Sequence, residues 1–242
     1  MGKIYTFREV TDKEELEKCF LLRYKVYSES ANKVFINENI DKIDVDFYDV
    51  HARHYCLQVD EIIAGYLRVV LPKEDITNET VFGIGEKYSW FERADYFHQN
   101  GKAPFPFLSY SGVPKSQWDF YQNLFEKKEK LTEASRLIIL PEFSSIKVSR
   151  HLVECAVVLY VLICIGQSHA IINCLEEHAA FYESYGFIPV ANGEKYFLNG
   201  MNRMCLSLSL SLSLSSVPKQ YHERFEAMAA EYRSTGKIVK EL

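Results

Sequence analysis

Residues 137–174 read LIILPEFSSIKVSRHLVECAVVLYVLICIGQSHAIINC, and the order of features within them decides the fold. Leu137 to Leu140 is an apolar run of strand length, a short loop follows, and from about Val148 to Ile165 the chain is apolar enough for a buried helix. Ala170 to Cys174 is a second strand-like run. A helix between two strands of one sheet must cross back over that sheet, so the expected class is α/β (α+β) with a mixed sheet flanked by helices. Glu154 interrupts the apolar run, which also falls short of the roughly 20 residues that a membrane-spanning helix needs.

Upstream, residues 3–10 alternate in character like a half-buried strand, and Thr11 with Glu14 forms a capping box for a helix. The apolar positions Leu16, Cys19, Phe20, Val26 and Tyr27 follow helical spacing, and Arg23 lies on the same stripe. A guanidinium there requires carboxylates to meet it, and the acidic stretch Asp41 to Asp49 offers them. His54–Val59 and Ile62–Leu71, joined at Asp60-Glu61, read as a hairpin. Downstream, a helix ends at Gly186, short strands follow at Phe187–Val190 and Lys195–Leu198, and the alternating run Leu206 to Ser215 suits a strand with leucines toward a core and serines away. An amphipathic helix at about 218–236 closes what we expect to be a single domain over 1–242. The stretch at about 84–130 is rich in aromatics, Trp90, Phe91, Phe105 and Phe107 among them. They either line an apolar pocket or bury a small core of an inserted segment.

Composition narrows the function. With 242 residues, 48% hydrophobic and 25% charged, the chain can bury a full core. A net charge of −5 leaves no basic excess for phosphate, which argues against nucleic acid as a partner. The six cysteines form no CxxC pair and sit mostly in apolar runs, as reduced core residues do. No apolar stretch near Met1 suggests a signal peptide, so the expected location is cytoplasmic, without a membrane span. His51 and His54, with Asp49 and Cys56 nearby, lack a complete ligand set of usual spacing, so no metal is expected.

The order of elements resembles the GNAT fold, in which a mixed sheet splays open to admit a pantetheine arm. Ala179, Phe181, Tyr182, Gly186 and Phe187 are similar to that family's ending A-x-F/L-Y-x-x-x-G-F. Four further motifs resemble the N-acyl amino acid synthases and the acyl-homoserine-lactone (autoinducer) synthases: Leu22-Arg23-Tyr24-Lys25-Val26-Tyr27, Asp46-Phe47-Tyr48-Asp49 with His54, Gly65-Tyr66-Leu67-Arg68, and Glu133-Ala134-Ser135-Arg136. Val34-Phe35 stands where the lactone synthases usually carry a donor-pocket tryptophan, which favours the amino-acid branch over S-adenosylmethionine. The loop Phe143 to Arg150 lacks the Gly-rich segment that holds the coenzyme A pyrophosphate. That absence fits an acyl carrier protein as donor.

The resemblance implies an N-acyltransferase that moves a long-chain acyl group from an acyl carrier protein phosphopantetheine thioester, or acyl-CoA, to the amine of an amino acid or related small molecule. Glu133 is then the general base, with an ion pair to Arg136 as the structural alternative. Arg23, Arg68 and Arg136 interlock with Asp46 and Asp49 beside the acceptor, and Tyr182 protonates the leaving thiolate. Ser144, Ser145, Lys147, Ser149 and Arg150 meet the donor's phosphate at a helix start. Trp90, Phe91, Phe105 and Phe107 take the acyl tail. Lys147 and Arg150, with Lys127, Lys128 and Lys130, offer the basic surface for an acidic carrier. The alternatives are a lactone synthase using S-adenosylmethionine, a short-chain acetyl-CoA N-acetyltransferase, and a non-catalytic acyl-carrier or lipid-binding module.

Overall fold

The computed structural model describes residues 2–30, 33, 35–36, 38–72, 103–163, 167–198 and 201–242. Strand β1 (Ile4–Glu9) leads into helix α1 (Lys13–Ser28). The helix is capped one residue later than Thr11: the Asp12 carboxylate accepts from the Glu15 N–H at 2.9 Å, because an aspartate at that position satisfies the same orphan donor with a full charge. Leu16, Cys19, Phe20, Leu22, Arg23 and Tyr27 form its buried stripe. A 3-10 turn, Phe47–His51, precedes the hairpin of β2 (Ala52–Val59) and β3 (Ile62–Val70), whose turn uses Asp60 at φ +54°.

The aromatic segment contributes a short helical turn, Pro106–Ser109, and helix α2 (Lys115–Glu126). The strand expected at Leu137–Leu140 begins earlier: β4 runs Leu131–Ile139. Helix α3 (Ile146–Val158) continues as a wider π turn, Leu159–Ile163, and delivers the chain to β5 (His169–Leu175). Helix α4 (Ala179–Glu183), short strands β6 (Ile188–Pro189) and β7 (Tyr196–Phe197), and β8 (Met204–Ser211) follow. The chain ends with α5 (His222–Thr235) and β9 (Lys237–Glu241), an edge strand that the helical reading of this end omitted.

Among the described residues the strands form one sheet in the order β6-β8-β5-β4-β3-β2-β1-β9, with β7 on β8. Only β4 and β5 are parallel neighbours, as the crossing helix requires. One face packs against α3 and α5 through Leu57, Leu67, Leu152, Ile172 and Phe225. The other is covered by α1, through Phe20, Cys56 and Tyr66, and by the aromatic segment, through Phe105, Phe107, Val70 and Ile171. Of the serines of β8, Ser207 and Ser209 are buried and only the last, Ser211, is turned to solvent. Ser207 is 0% exposed and exchanges a 2.7 Å hydrogen bond with the Tyr196 hydroxyl, since neighbouring strands and β7 cover that face too.

The β4–β5 ladder is short: it spans Leu131–Ala134 against His169–Ile172 and then ends. Just beyond, Arg136 sits at φ +53°, and the pairing of β4 with β3 shifts register opposite Tyr66 to Arg68. A left-handed residue other than glycine costs about 1–2 kcal/mol. As a bulge it bends the strand, and the bend lies where β4 parts from β5. The result is a sheet that is closed at one end of this pair and open at the other.

Gly186 ends the α4 segment at φ +99°, and a Cβ there would collide with the Ser216 carbonyl oxygen. Gly186→Ala should therefore destabilise the protein by more than about 1 kcal/mol. An unchanged denaturation midpoint would contradict the close approach of these two backbone segments.

Candidate active site

A cavity of about 230 Å³ occupies the gap between the splayed strands. Its wall is made by residues 133–137 of β4 and 172–175 of β5, with Tyr27 from α1, Tyr182 from α4, and Leu198 and Met201 near β7. Residues on both faces of the sheet reach it, because alternate side chains of a strand point to opposite sides. Glu133 and Tyr182 thus meet one space from different layers.

Three arginines and three aspartates interlock beside this gap on the α1 face. Arg23 bonds Asp49 at 2.7 and 3.1 Å and Asp44 at 2.9 Å. Arg68 bonds Asp46 at 2.5 Å, Asp49 at 3.0 Å and the Ser135 hydroxyl at 2.9 Å. Arg136 bonds Asp44 at 2.8 Å, Asp46 at 3.3 Å and the Phe35 carbonyl at 3.2 Å. Asp46 and Asp49 are fixed by their own turn: Asp49 accepts from the Asp46 N–H at 2.7 Å, and Asp46 from the Tyr48 N–H at 2.9 Å. Behind them His54 bonds Tyr66 and the Asp49 carbonyl at 2.6 and 3.1 Å, and burial pushes its pKa down to about 4, so it is neutral.

Burial alone would raise the carboxyls of Asp49 and Asp44. For Asp49 the guanidiniums of Arg23 and Arg68 outweigh it, for Asp44 those of Arg136 and Arg23, and both stay below their ordinary value. Asp44 is the member that motif reading missed. It lies in the acidic stretch but outside the D-x-x-D spacing, and only the fold shows it shared between Arg23 and Arg136.

Glu133 behaves in the opposite way. It is 1% exposed and makes no ion pair among the described residues; the arginine expected as its alternative partner, Arg136, is held by Asp44 and Asp46. Its carboxylate accepts a hydrogen bond from the Phe107 N–H at 2.9 Å. Burial raises its carboxyl to about 8, with the Phe107 hydrogen bond and Arg68 opposing that rise only in part. A carboxyl so placed on a cavity wall can hold or release a proton near neutral pH.

Tyr182 lines the cavity, and burial pushes its hydroxyl pKa up, so it keeps its proton. Ser145 caps α3 by accepting from the Val148 N–H at 3.2 Å, while Ser144, Lys147 and Arg150 are exposed around it and Ser149 is half-buried. None of these five lines the cavity. Phe105 and Phe107 are buried at 2% and 0% exposure and pack against Tyr121 and each other, away from the cavity wall. Their rings are closed into a small core because the inserted segment must bury its own apolar face, although the Phe107 backbone serves Glu133. Trp90 and Phe91 lie outside the described residues. Among the described residues no helix is long and apolar enough to cross a membrane, and no group of His, Cys, Asp and Glu is placed to hold a metal ion.

Residues 22–101 match the family model described as an acetyltransferase (GNAT) domain. Among solved structures, the CoA-dependent acyl-homoserine lactone synthase BjaI with S-adenosylmethionine and isopentyl-CoA superposes with a TM-score of 0.57 at 12% identity, covering 92% of this chain and 90% of that one. MesI, another CoA-dependent acyl-homoserine lactone synthase, gives 0.54 at 16% identity over 93% and 95%. FeeM, an N-acyl amino acid synthase from uncultured soil microbes, gives 0.49 at 12% identity over 88% and 96%. No curated protein sequence matches the chain. The chain therefore has the GNAT acyltransferase fold, and that fold together with the domain match supports an enzyme of the N-acyltransferase class.

Proposed function

We propose that this chain transfers an acyl group from a pantetheine thioester to the amine of an amino acid. The observation that carries the reading is Glu133, a buried carboxyl without an ion-pair partner among the described residues, on the wall of a cavity that opens between two parting parallel strands. The amine gives a proton to the ionised Glu133 and its nitrogen bonds to the thioester carbonyl carbon. The carbon–sulfur bond then breaks. The departing thiolate takes a proton from Tyr182, which recovers one from water, as does the medium from Glu133. The products are an amide and a free thiol.

The fixed guanidinium cluster supports this step as a preorganised field. Arg136 is the member that lines the cavity, and we assign its Nη1, which takes no part in the bonds to Asp44, Asp46 and Phe35, to the acceptor's carboxylate. We assign the donor's phosphate to Ser144, Lys147, Ser149 and Arg150 around the exposed start of α3, the Ser145 hydroxyl being engaged as the cap. The donor we favour is a long-chain acyl carrier protein, because the loop from Phe143 to Arg150 has no Gly-rich pyrophosphate segment. We read the chain as one acyltransferase domain working in the cytoplasm.

Incubating the protein with hexadecanoyl-acyl carrier protein and the common amino acids, and analysing by mass spectrometry, should reveal N-hexadecanoyl amino acids. Absence of any N-acyl product with acyl carrier protein and acyl-CoA donors alike would defeat the reading. For the donor, kcat/KM should rank long-chain acyl carrier protein above long-chain acyl-CoA and far above acetyl-CoA, each buried methylene contributing about 0.8 kcal/mol. The carrier-dependent rate should fall at raised salt and in Lys147→Glu/Arg150→Glu. Preference for acetyl-CoA, or indifference to both salt and charge reversal, would overturn the carrier assignment.

A further inference from the structure

A buried polar side chain on the cavity wall that neither the motifs nor the mechanism uses is Asn173, on β5. Its Oδ1 and Nδ2 are both buried, and neither has a hydrogen-bond partner among the described residues. The nearest polar neighbour is the Tyr196 hydroxyl, near enough for the Asn173 amide to lower its pKa by a weak polar contact, but no bond of ordinary geometry joins the two, and the 2.7 Å bond of that hydroxyl goes to Ser207. A buried amide left unpaired is costly, and such groups are kept where a ligand supplies the partners.

Strand register says which ligand. Glu133 pairs with Ile171, so Ile171 and Asn173, two residues on, project from the same face as Glu133. In a regular ladder the Cα atoms of Glu133 and Asn173 would be roughly 8 Å apart, and the parting of the strands leaves at least that span. A small molecule giving its amine to Glu133 comes within reach of Asn173. On this side the wall continues as Leu175, Leu198 and Met201.

We infer that Asn173 positions the acceptor, reading an amine and a carboxylate oxygen held on one carbon. An amide offers one acceptor and two donors. Oδ1 accepts the amine N–H that Glu133 does not remove, and Nδ2 donates to the carboxylate. This rests on the acyl-transfer reading above and narrows it: the acceptor is an α-amino acid, and the corresponding simple amine is a poor substitute. The contact fixes the nitrogen for attack and sets specificity, while the donor and its thioester are handled elsewhere.

The test compares the parent with Asn173→Ala, using L-leucine and 3-methylbutylamine as acceptors and hexadecanoyl-acyl carrier protein as donor. Because neither amide atom is bonded, the variant should melt at or above the parent temperature. The KM for L-leucine should rise about 10- to 100-fold, the preference for L-leucine over 3-methylbutylamine should shrink to match, and the KM for the donor should stay unchanged. Binding of L-leucine measured by calorimetry, without donor, should weaken by the same factor whether or not transfer occurs, which separates this contact from the catalytic reading. Equal L-leucine binding by parent and variant, no binding to the parent, a rise confined to the donor KM, or a marked fall in melting temperature would each overturn it.

Discussion

Glu133→Gln should lower acyl transfer by roughly 10²–10⁴-fold, the usual loss for a general base, while leaving the fold intact. The parent's kcat/KM should rise with pH and level off above about 8, where burial has moved the Glu133 carboxyl. That limb should vanish in the variant, leaving only the titration of the amine. Stability carries an independent sign. Between the ordinary value of 4.5 and about 8 the folded protein holds a proton that the unfolded chain has released, so the Glu133 contribution falls as pH rises through this window. Glutamine does not ionise. The melting temperature of the variant relative to the parent should therefore increase from below pH 4.5 to above about 8. Full activity would rule out the base, and a uniform drop in melting temperature would make Glu133 a structural residue.

The second large effect concerns the charge cluster. Arg23→Leu should cost about 3–5 kcal/mol, because it leaves Asp49 and Asp44 buried with a partner removed. Chemical denaturation at neutral pH measures it, and a loss below about 1 kcal/mol would show that the cluster does not depend on Arg23. The pH dependence follows from Asp44 and Asp49, whose carboxyls are held below the ordinary 3.8. The stability they contribute is present above that value and is lost as pH falls through their lowered pKa values. Arg23→Leu should weaken that acid sensitivity.

The fold was legible where local pattern and topology agree. The run from Leu137 to Cys174 required a strand, a crossing helix and a parallel strand, and β4, α3 and β5 follow it. The stripe carrying Arg23 announced its need for carboxylates, and Asp49 meets it at 2.7 Å. Other features are set by tertiary context. Arg136 in a left-handed conformation has no local signal, since glycine is the residue that usually announces one. Asp44 enters the cluster only because the loop folds across α1 and β4 together. Ser207 and Ser209 of β8 looked solvent-facing by alternation, but alternation does not say whether the second face is also covered. Phe105 and Phe107 carried the composition of a pocket and form a packed core instead. Asn173 looked like one polar residue in a strand until its register placed it beside Glu133.

The most direct measurement of the central claim is amine-dependent thiol release from hexadecanoyl-acyl carrier protein, followed together with N-acyl product in the parent and in Glu133→Gln. The parent should form one N-acyl amide per thiol, at a rate that rises toward pH about 8, and the variant should lose both signals. Thiol release that is indifferent to added amine, or amide formation that survives unchanged without the Glu133 carboxylate, would contradict the claim.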